Sequence, residues 1–314
     1  MPPTGNQNPL HGLVIRSQSG FYTVATEVGP RVCHLRGRLK NQRVEGDLLA
    51  VGDRVVITAL DGQKGVIEEI EPRQSLFVRL DPRPKGIYRQ IIIANPDQLC
   101  FVFACAQPTP RLGMLDRYLV VAERQGIPAV IVANKVDLVG SERSQEMFGH
   151  YEPVGYPVLY TSAKNELGIE ALRLLLAGKI SLFSGPSGAG KSSLLNAVQP
   201  GLGQQVRQIS HATGKGRHTT VVRELLPLQA GGYVADTPGL KSLGLWDIEP
   251  EELDGYFPEL RELVQKCAFS DCTHLNEPGC AVRLAVADST LNPERYRSYL
   301  RMRFGDIEFD QAEP

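Results

Sequence analysis

One stretch limits the architecture more than any other: LFSGPSGAGKSSLLNAV, from Leu182 to Val198. An apolar run gives way to a glycine-rich loop ending in Lys-Ser, then to a helix-forming segment. Gly185 to Ser192 fits the spacing G-x-x-x-x-G-K-[ST], in the strand–loop–helix setting that the motif requires. Glycines there let backbone N–H groups face phosphate oxygens, and a helix N-terminus adds a favourable field for anions. Gly185, Pro186, Ser187, Gly188, Ala189, Gly190, Lys191, Ser192 and Ser193 are the expected phosphate contacts. Lys191 is placed to reach the outer phosphates, and the Ser192 hydroxyl to hold Mg²⁺.

The surroundings agree with an α/β domain. LCFVFACA, PAVIVANKVD, PVLYTSAK, KISLFSGPSG and YVADTPG are apolar runs of strand length. Helical stretches such as LGMLDRYLVVAERQG and IEALRLLLAG lie between them. Strands alternating with helices predict a doubly wound, mostly parallel sheet. Cys100 and Cys105 fall in an apolar run and are expected in the core, as is Cys33.

Three further motifs end predicted strands. Asp236-Thr-Pro-Gly239 offers a carboxylate for Mg²⁺, and the Gly239 N–H for a terminal phosphate. Asn134-Lys-Val-Asp137 offers the Asp137 carboxylate to the N1–H and 2-amino group of guanine, with Lys135 lying over the base. Adenine has neither donor and would leave that acceptor unpaired, which discriminates strongly. Thr161-Ser-Ala-Lys164 adds Ser162, Ala163 and Lys164, whose backbone can meet guanine O6. The nucleotide expected is GTP or GDP with Mg²⁺.

Before the α/β region, residues 10–70 alternate short apolar runs with glycine turns and predict five short strands. A small closed barrel accommodates them, of oligonucleotide-binding (OB) type or of SH3 type. Residues 71–97, rich in Pro and Arg, read as a linker. After Leu245, EPEELDGYFPELREL and PERYRSYLRMRFG read as helices. Between them Cys267, Cys272, His274 and Cys280 form C-x4-C-x-H-x5-C, three thiolates and an imidazole that suit one tetrahedral, structural Zn²⁺.

The motif order NKVD, TSAK, GPSGAGKS, DTPG is that of the circularly permuted GTPases. With the N-terminal barrel, the GKGRHTT segment and the C-terminal Cys/His cluster, the chain resembles the ribosome small-subunit-dependent GTPase family across about residues 10–305. The resemblance implies GTP hydrolysis stimulated by the small (30S) ribosomal subunit, late in its maturation, with hydrolysis driving release. It implies zinc at the same four positions and a catalytic role for His218. The expected layout is a disordered tail (1–9), an OB-type β-barrel (10–71), a circularly permuted P-loop GTPase domain (72–245) and a helical zinc-binding C-terminal domain (246–314).

Many GTPases carry Gln directly after the DxxG glycine, where this chain has Leu240. An apolar side chain cannot orient water, so intrinsic turnover should be slow and His218 is the candidate to help. Negligible turnover, with the chain acting as an RNA-binding nucleotide switch, is the alternative. Thr219 or Thr220 is expected to meet Mg²⁺. In permuted order the segment after DTPG, Lys241 to Trp246, runs directly into the C-terminal region and is placed to pass on the state of the nucleotide.

Net charge is −1 and charged residues are 22% of the chain, which leaves nucleic-acid binding open. Locally basic stretches permit contact with rRNA: Arg73, Arg79, Arg83, Lys85 and Arg89, then Arg207, Lys215, Arg217 and Arg223, and last Arg295, Arg297, Arg301 and Arg303. No run of about 18 apolar residues predicts a membrane span. The start, MPPTGNQNPLHG, lacks the features of a secretory signal, and six cysteines without a disulfide-like framework fit a reducing compartment. A cytoplasmic monomer is expected.

Overall fold

The computed structural model describes residues 9–40, 47–80, 89–206, 222, 224–237 and 248–305. The chain divides into two compact units: Met1–Leu99, Ile169–Ser184 and Lys191–Leu240 in the first, Cys100–Gly168, Gly185–Gly190 and Lys241–Pro314 in the second.

The first unit opens with a closed barrel of order β1-β2-β3-β5-β4: β1 (Leu10–Gln18), β2 (Phe21–Thr26), β3 (Gly29–Leu35), β4 (Arg54–Ala59) and β5 (Lys64–Ile70). Ser19 and Gly20 take φ of 51° and 81°, the left-handed pair that a two-residue hairpin uses, so β1 turns directly into β2. β3 runs parallel to β5, while the other pairs are antiparallel. Val14, Val24, Cys33, Val55, Ile57 and Ile67 are fully buried at 0% exposure and fill the interior. Alternating strand residues point inward and outward, which is why the apolar positions recur at every second place. The five strands expected over 10–70 close as an OB-type barrel.

The linker reading of 71–97 is corrected. β6 (Leu76–Leu80) and β7 (Arg89–Ala94) pair as an antiparallel two-stranded sheet. Ile91, Ile92, Ile93 and Ala94 are at most 2% exposed. The Pro and Arg signal is concentrated at 81–88, outside the described residues, and it masked the strand pattern on either side. The buried Asp53 carboxylate ties this region to the barrel, accepting from Arg73 Nε at 2.7 Å, Arg73 Nη2 at 2.8 Å and Ala50 N at 2.7 Å.

A six-stranded sheet has the order β10-β9-β8-β11-β13-β12. Its strands are β8 (Gln98–Ala104), β9 (Ala129–Asn134), β10 (Val158–Thr161), β11 (Ile180–Ser184), β12 (Leu226–Pro227) and β13 (Tyr233–Asp236). β9 and β10 are parallel, as are β11 and β13, and β12 adds a short antiparallel edge. β8, β9 and β11 are buried along their whole length, which explains their unbroken apolar sequence. Cys100 and Cys105 are core residues at 0% and 3% exposure. Helices in this part of the chain include α1 (Gly37–Lys40), α2 (Leu112–Arg124), α3 (Ser141–Phe148), α4 (Ile169–Leu176) and α5 (Lys191–Val198). Arg173 of α4 donates to the carbonyls of Ala197 and Val198 at 2.8 and 2.9 Å, satisfying the free end of α5.

The second unit ends in a 3-10 turn (Pro250–Tyr256), α6 (Pro258–Val264), α7 (Ala281–Ala287) and α8 (Pro293–Phe304). Asn292 caps α8, accepting from Glu294 N at 2.8 Å and Arg295 N at 3.3 Å. Leu253, Phe257, Leu260, Val282 and Tyr299 share one core with Val120 of α2. No helix among the described residues is long and apolar enough to cross a membrane.

Two arginines proposed for a basic surface are interior groups. Arg79 is 4% exposed and gives Nε and Nη2 to Gln90 Oε1 at 2.9 and 2.7 Å. Arg295 is 1% exposed, with Nη1 on Asp116 Oδ1 at 2.7 Å and Nε and Nη2 on the two Glu259 oxygens at 2.7 and 3.1 Å. Its guanidinium lies over the Phe257 ring, 4.7 Å from the centroid. Arg295→Ala would leave Asp116 and Glu259 without their shared counter-charge. It should cost about 3–5 kcal/mol of stability, read as a lower denaturant midpoint at unchanged slope.

Candidate functional site

In the second unit, the NKVD and TSAK motifs leave the carboxyl ends of neighbouring parallel strands, where open α/β sheets hold ligands. β9 and β10 align Asn134 with Thr161, so NKVD and TSAK lie side by side. Asn134 is 2% exposed and its Nδ2 donates to the Ala189 carbonyl at 2.8 Å, while Thr161 Oγ1 donates to Asn134 Oδ1 at 3.2 Å. Ser162 Oγ donates to Asp137 Oδ1 at 2.5 Å, and Asn165 N donates to Ser162 Oγ at 3.2 Å. Asp137 itself is exposed, so its carboxylate is oriented by one bond and still open to a base. Lys135 takes a left-handed φ of 65° and donates Nζ to the Gln107 carbonyl. Ala163 is half-buried and Lys164 exposed at the turn that follows.

Gly185 to Gly190 belong to the same unit. Gly185 has φ of 147°, and a methyl there would sit 2.0 Å from the Val102 carbonyl oxygen, so no other residue fits. At Gly190, φ of 96°, a methyl would stand 2.3 Å from Asn134 Nδ2. Pro186 is half-buried, Ser187 and Gly188 exposed, and Ala189 buried. The loop is thus held against Asn134 while its Ser-Gly tip stays open.

The first unit supplies α5, which begins at Lys191 and carries no acid in its first turn. Ser192 is half-buried there and Ser193 exposed. Burial lowers the Lys191 pKa, with the Asp236 charge opposing it; burial raises that of Asp236, with the Lys191 charge opposing it. The two influence each other from the start of α5 and the end of β13. Asp236 Oδ1 is buried and has no hydrogen-bond donor among the described residues. A hydrated Mg²⁺ offers such an oxygen the partner it lacks, so the residues fit the ion that nucleotide phosphates carry.

His218, Thr219, Thr220, Gly239 and Leu240 lie outside the described residues, as do Lys215, Arg217 and Lys241 to Trp246.

The second unit also gathers Cys267, Cys272, His274 and Cys280, whose ligand atoms all lie within 4.8 Å of one another. His274 Nδ1 is 3.6 Å from Cys267 Sγ and 3.4 Å from Cys280 Sγ. Burial pushes the Cys272 thiol up to about 12 and raises Cys280 as well. A bound cation is what would turn such thiols into thiolates, and the spacing suits a four-coordinate metal. The loop backbone is held by Glu277, which accepts from Thr273 N at 2.8 Å, Leu275 N at 3.0 Å, Asn276 N at 3.1 Å and the Thr273 hydroxyl.

Sequence reasoning missed Gln107, Glu277 and Asp254. Gln107 acts through its backbone carbonyl and leaves no trace in residue type. Glu277 lies inside the cysteine motif but looks like any loop acid. Asp254 contacts His274 from 20 positions upstream.

Comparison with known proteins agrees with this geometry. The model of the RsgA GTPase family matches residues 70–246, and that of the RsgA N-terminal domain matches 11–67. A small ribosomal subunit biogenesis GTPase RsgA from Gemmatimonas aurantiaca is 47% identical, over 93% of this chain and 96% of its own length. The chain belongs to the RsgA family of GTPases. An RsgA from Alkaliphilus metalliredigens is 40% identical over 94% of this chain and 97% of its own. Among solved structures, YjeQ from Thermotoga maritima is 38% identical with TM-score 0.77, covering 94% of this chain and 98% of that one. YloQ, described as a circularly permuted GTPase, is 32% identical with TM-score 0.74, covering 96% of each chain. NKVD and TSAK written before the phosphate loop are thus the circularly permuted order of motifs.

Glu277 gives the metal loop a pH signature. Burial raises its pKa, but the Thr273 and backbone donors outweigh that and hold it at about 2, against an ordinary 4.5. A depressed carboxylate contributes stability above its unfolded pKa and loses it as pH falls through the folded value. Glu277→Gln should therefore cost roughly 2 kcal/mol near neutral pH. The gap from wild type should shrink between about pH 4.5 and 2, as followed by denaturant titration at each pH.

Proposed function

We propose that this chain is a guanine-specific GTPase that binds the small ribosomal subunit during its late maturation and leaves after hydrolysis. The observation that carries it is the joint placement, within one unit, of an exposed, oriented Asp137 carboxylate and a phosphate loop tied to the same Asn134. The ribosomal part follows from family membership and from relatives named as small ribosomal subunit biogenesis GTPases. Its rRNA partner and a cytoplasmic location follow from that reading, and a monomer suffices for it.

In this reading Gly185 to Ser193 and the Gly239 N–H bind phosphates. Asn134, Lys135, Asp137, Ser162, Ala163 and Lys164 frame guanine. Ser192, Asp236 and either Thr219 or Thr220 serve Mg²⁺, which supplies charge neutralisation on the transferring phosphoryl group. His218 assists the attacking water in place of the glutamine that Leu240 replaces. Cys267, Cys272, His274 and Cys280 hold one structural zinc, since three thiolates and an imidazole form a closed tetrahedral set. The functional layout is an OB-type barrel over 10–71, the permuted GTPase domain over 72–245 and a zinc-binding region over 246–314.

Hydrolysis of GTP and ATP by the purified protein, with and without purified small subunits, tests this reading. Slow GTP turnover that rises strongly with subunits, with little ATP turnover, is expected; no turnover under any condition would overturn the reading. His218→Ala should lower subunit-stimulated turnover at least about tenfold at near-normal nucleotide affinity, since a general catalytic group contributes roughly 10²–10⁴. Asp137→Asn should erode the preference for GDP over other purine nucleotides, read by competition binding, while Lys191→Ala weakens triphosphate binding whatever the base.

A further inference from the structure

We propose that Asp254 is the positioning residue of the metal centre: it fixes His274 as an Nδ1 ligand by accepting the Nε2–H. This rests on the zinc reading of the cysteine cluster.

The two ring nitrogens of His274 face different groups. Nδ1 points at Cys267 Sγ and Cys280 Sγ, at 3.6 and 3.4 Å. Nε2 lies 3.3 Å from Asp254 Oδ2. The ring is 0% exposed, so solvent cannot serve Nε2. A neutral imidazole carries one proton; metal bound at Nδ1 places it on Nε2, where the Asp254 carboxylate receives it. A carboxylate behind a metal-bound histidine fixes the tautomer and raises ligand basicity.

The rest of the loop makes ring orientation matter. His274 has a left-handed φ of 64°, and its carbonyl accepts from Tyr296 Oη at 2.6 Å. Tyr299 Oη donates to the neighbouring Thr273 carbonyl at 3.1 Å. The backbone is therefore held from α8, and the ring is aimed from the other side by Asp254. That carboxylate sits in the 3-10 turn Pro250–Tyr256, whose Leu253 is 1% exposed in the common core. Metal at the cysteine loop thus also pins a turn that lies outside the C-x4-C-x-H-x5-C pattern, and the turn in turn selects the ligand atom.

The test uses the full-length protein. Wild type with isotope-labelled histidine, its zinc exchanged for NMR-active cadmium, should show scalar coupling from the metal to Nδ1 and a slowly exchanging proton on Nε2. Asp254→Ala should release zinc to a colorimetric chelator roughly 10–100-fold faster. Asp254→Asn, which keeps an accepting oxygen but no charge, should fall between. Coupling to Nε2, or zinc release from Asp254→Ala at the wild-type rate, would overturn the role. Should Asp254→Ala not fold, the coupling in wild type and the release from Asp254→Asn still decide. Elemental analysis separates the underlying reading: wild type without zinc overturns the zinc assignment, whereas zinc present with coupling to Nε2 overturns the role of Asp254 alone.

Discussion

The side-chain amide of Asn134 holds the second unit's recognition elements together. Its Nδ2 donates to the phosphate loop at Ala189, and its Oδ1 accepts from Thr161 of the TSAK motif. The group is 2% exposed, so breaking either bond would strand a buried polar atom at a cost of about 1–3 kcal/mol. Three loops far apart in the chain are thereby one object. Their relative positions depend on this amide and on the parallel register of β9 and β10, not on which motif is translated first. That is why a permuted order can leave the nucleotide chemistry intact. What the order changes is the sequel to DTPG, which leads into the 3-10 turn and the metal loop.

The end of the second unit solves a different problem. Its helices are short, seven residues in α6 and α7 and twelve in α8. Helices of that length are marginal without tertiary support. Support comes from a shared core with α2, from the cysteine cluster, and from a buried Arg295 that satisfies Asp116 and Glu259 at once. Tyr151 adds a fourth bond to that network, donating its Oη to Asp116 Oδ1 at 2.7 Å. Each buried charge here is tolerable only because its partners are in place. The arrangement therefore specifies one packing of α8 more sharply than an apolar contact would.

Legibility in the sequence followed the range of the interaction. The phosphate loop could be read because its glycines, lysine and serine fall at fixed spacings within eight positions, Gly185 to Ser192; the contact with Val102 that also demands glycine at 185 left no such mark. The cysteine cluster could be read because four ligands fall within fourteen positions. Residues 71–97 misled because Pro and Arg at their centre outweighed the β-branched flanks that pair as β6 and β7. Arg79 and Arg295 misled because a charged residue carries no local mark of burial. Asp254 gave no signal, since its contact with His274 is made by folding and by nothing in its neighbours.

The sequence by itself determined the motifs: a glycine-rich P-loop, the NKVD and TSAK loops, a Cys/His set of four and the order in which they occur. These are encoded by residue types at fixed short spacings, where backbone geometry leaves few alternatives. Only the tertiary structure decided which charges face water, which arginines are interior struts, and which carboxylate stands behind the histidine of the metal loop. Those outcomes depend on burial and on partners dozens of residues away, as with Arg295 and Asp116. The free energy of a charge is set by what surrounds it, and the surroundings exist only once the chain has folded.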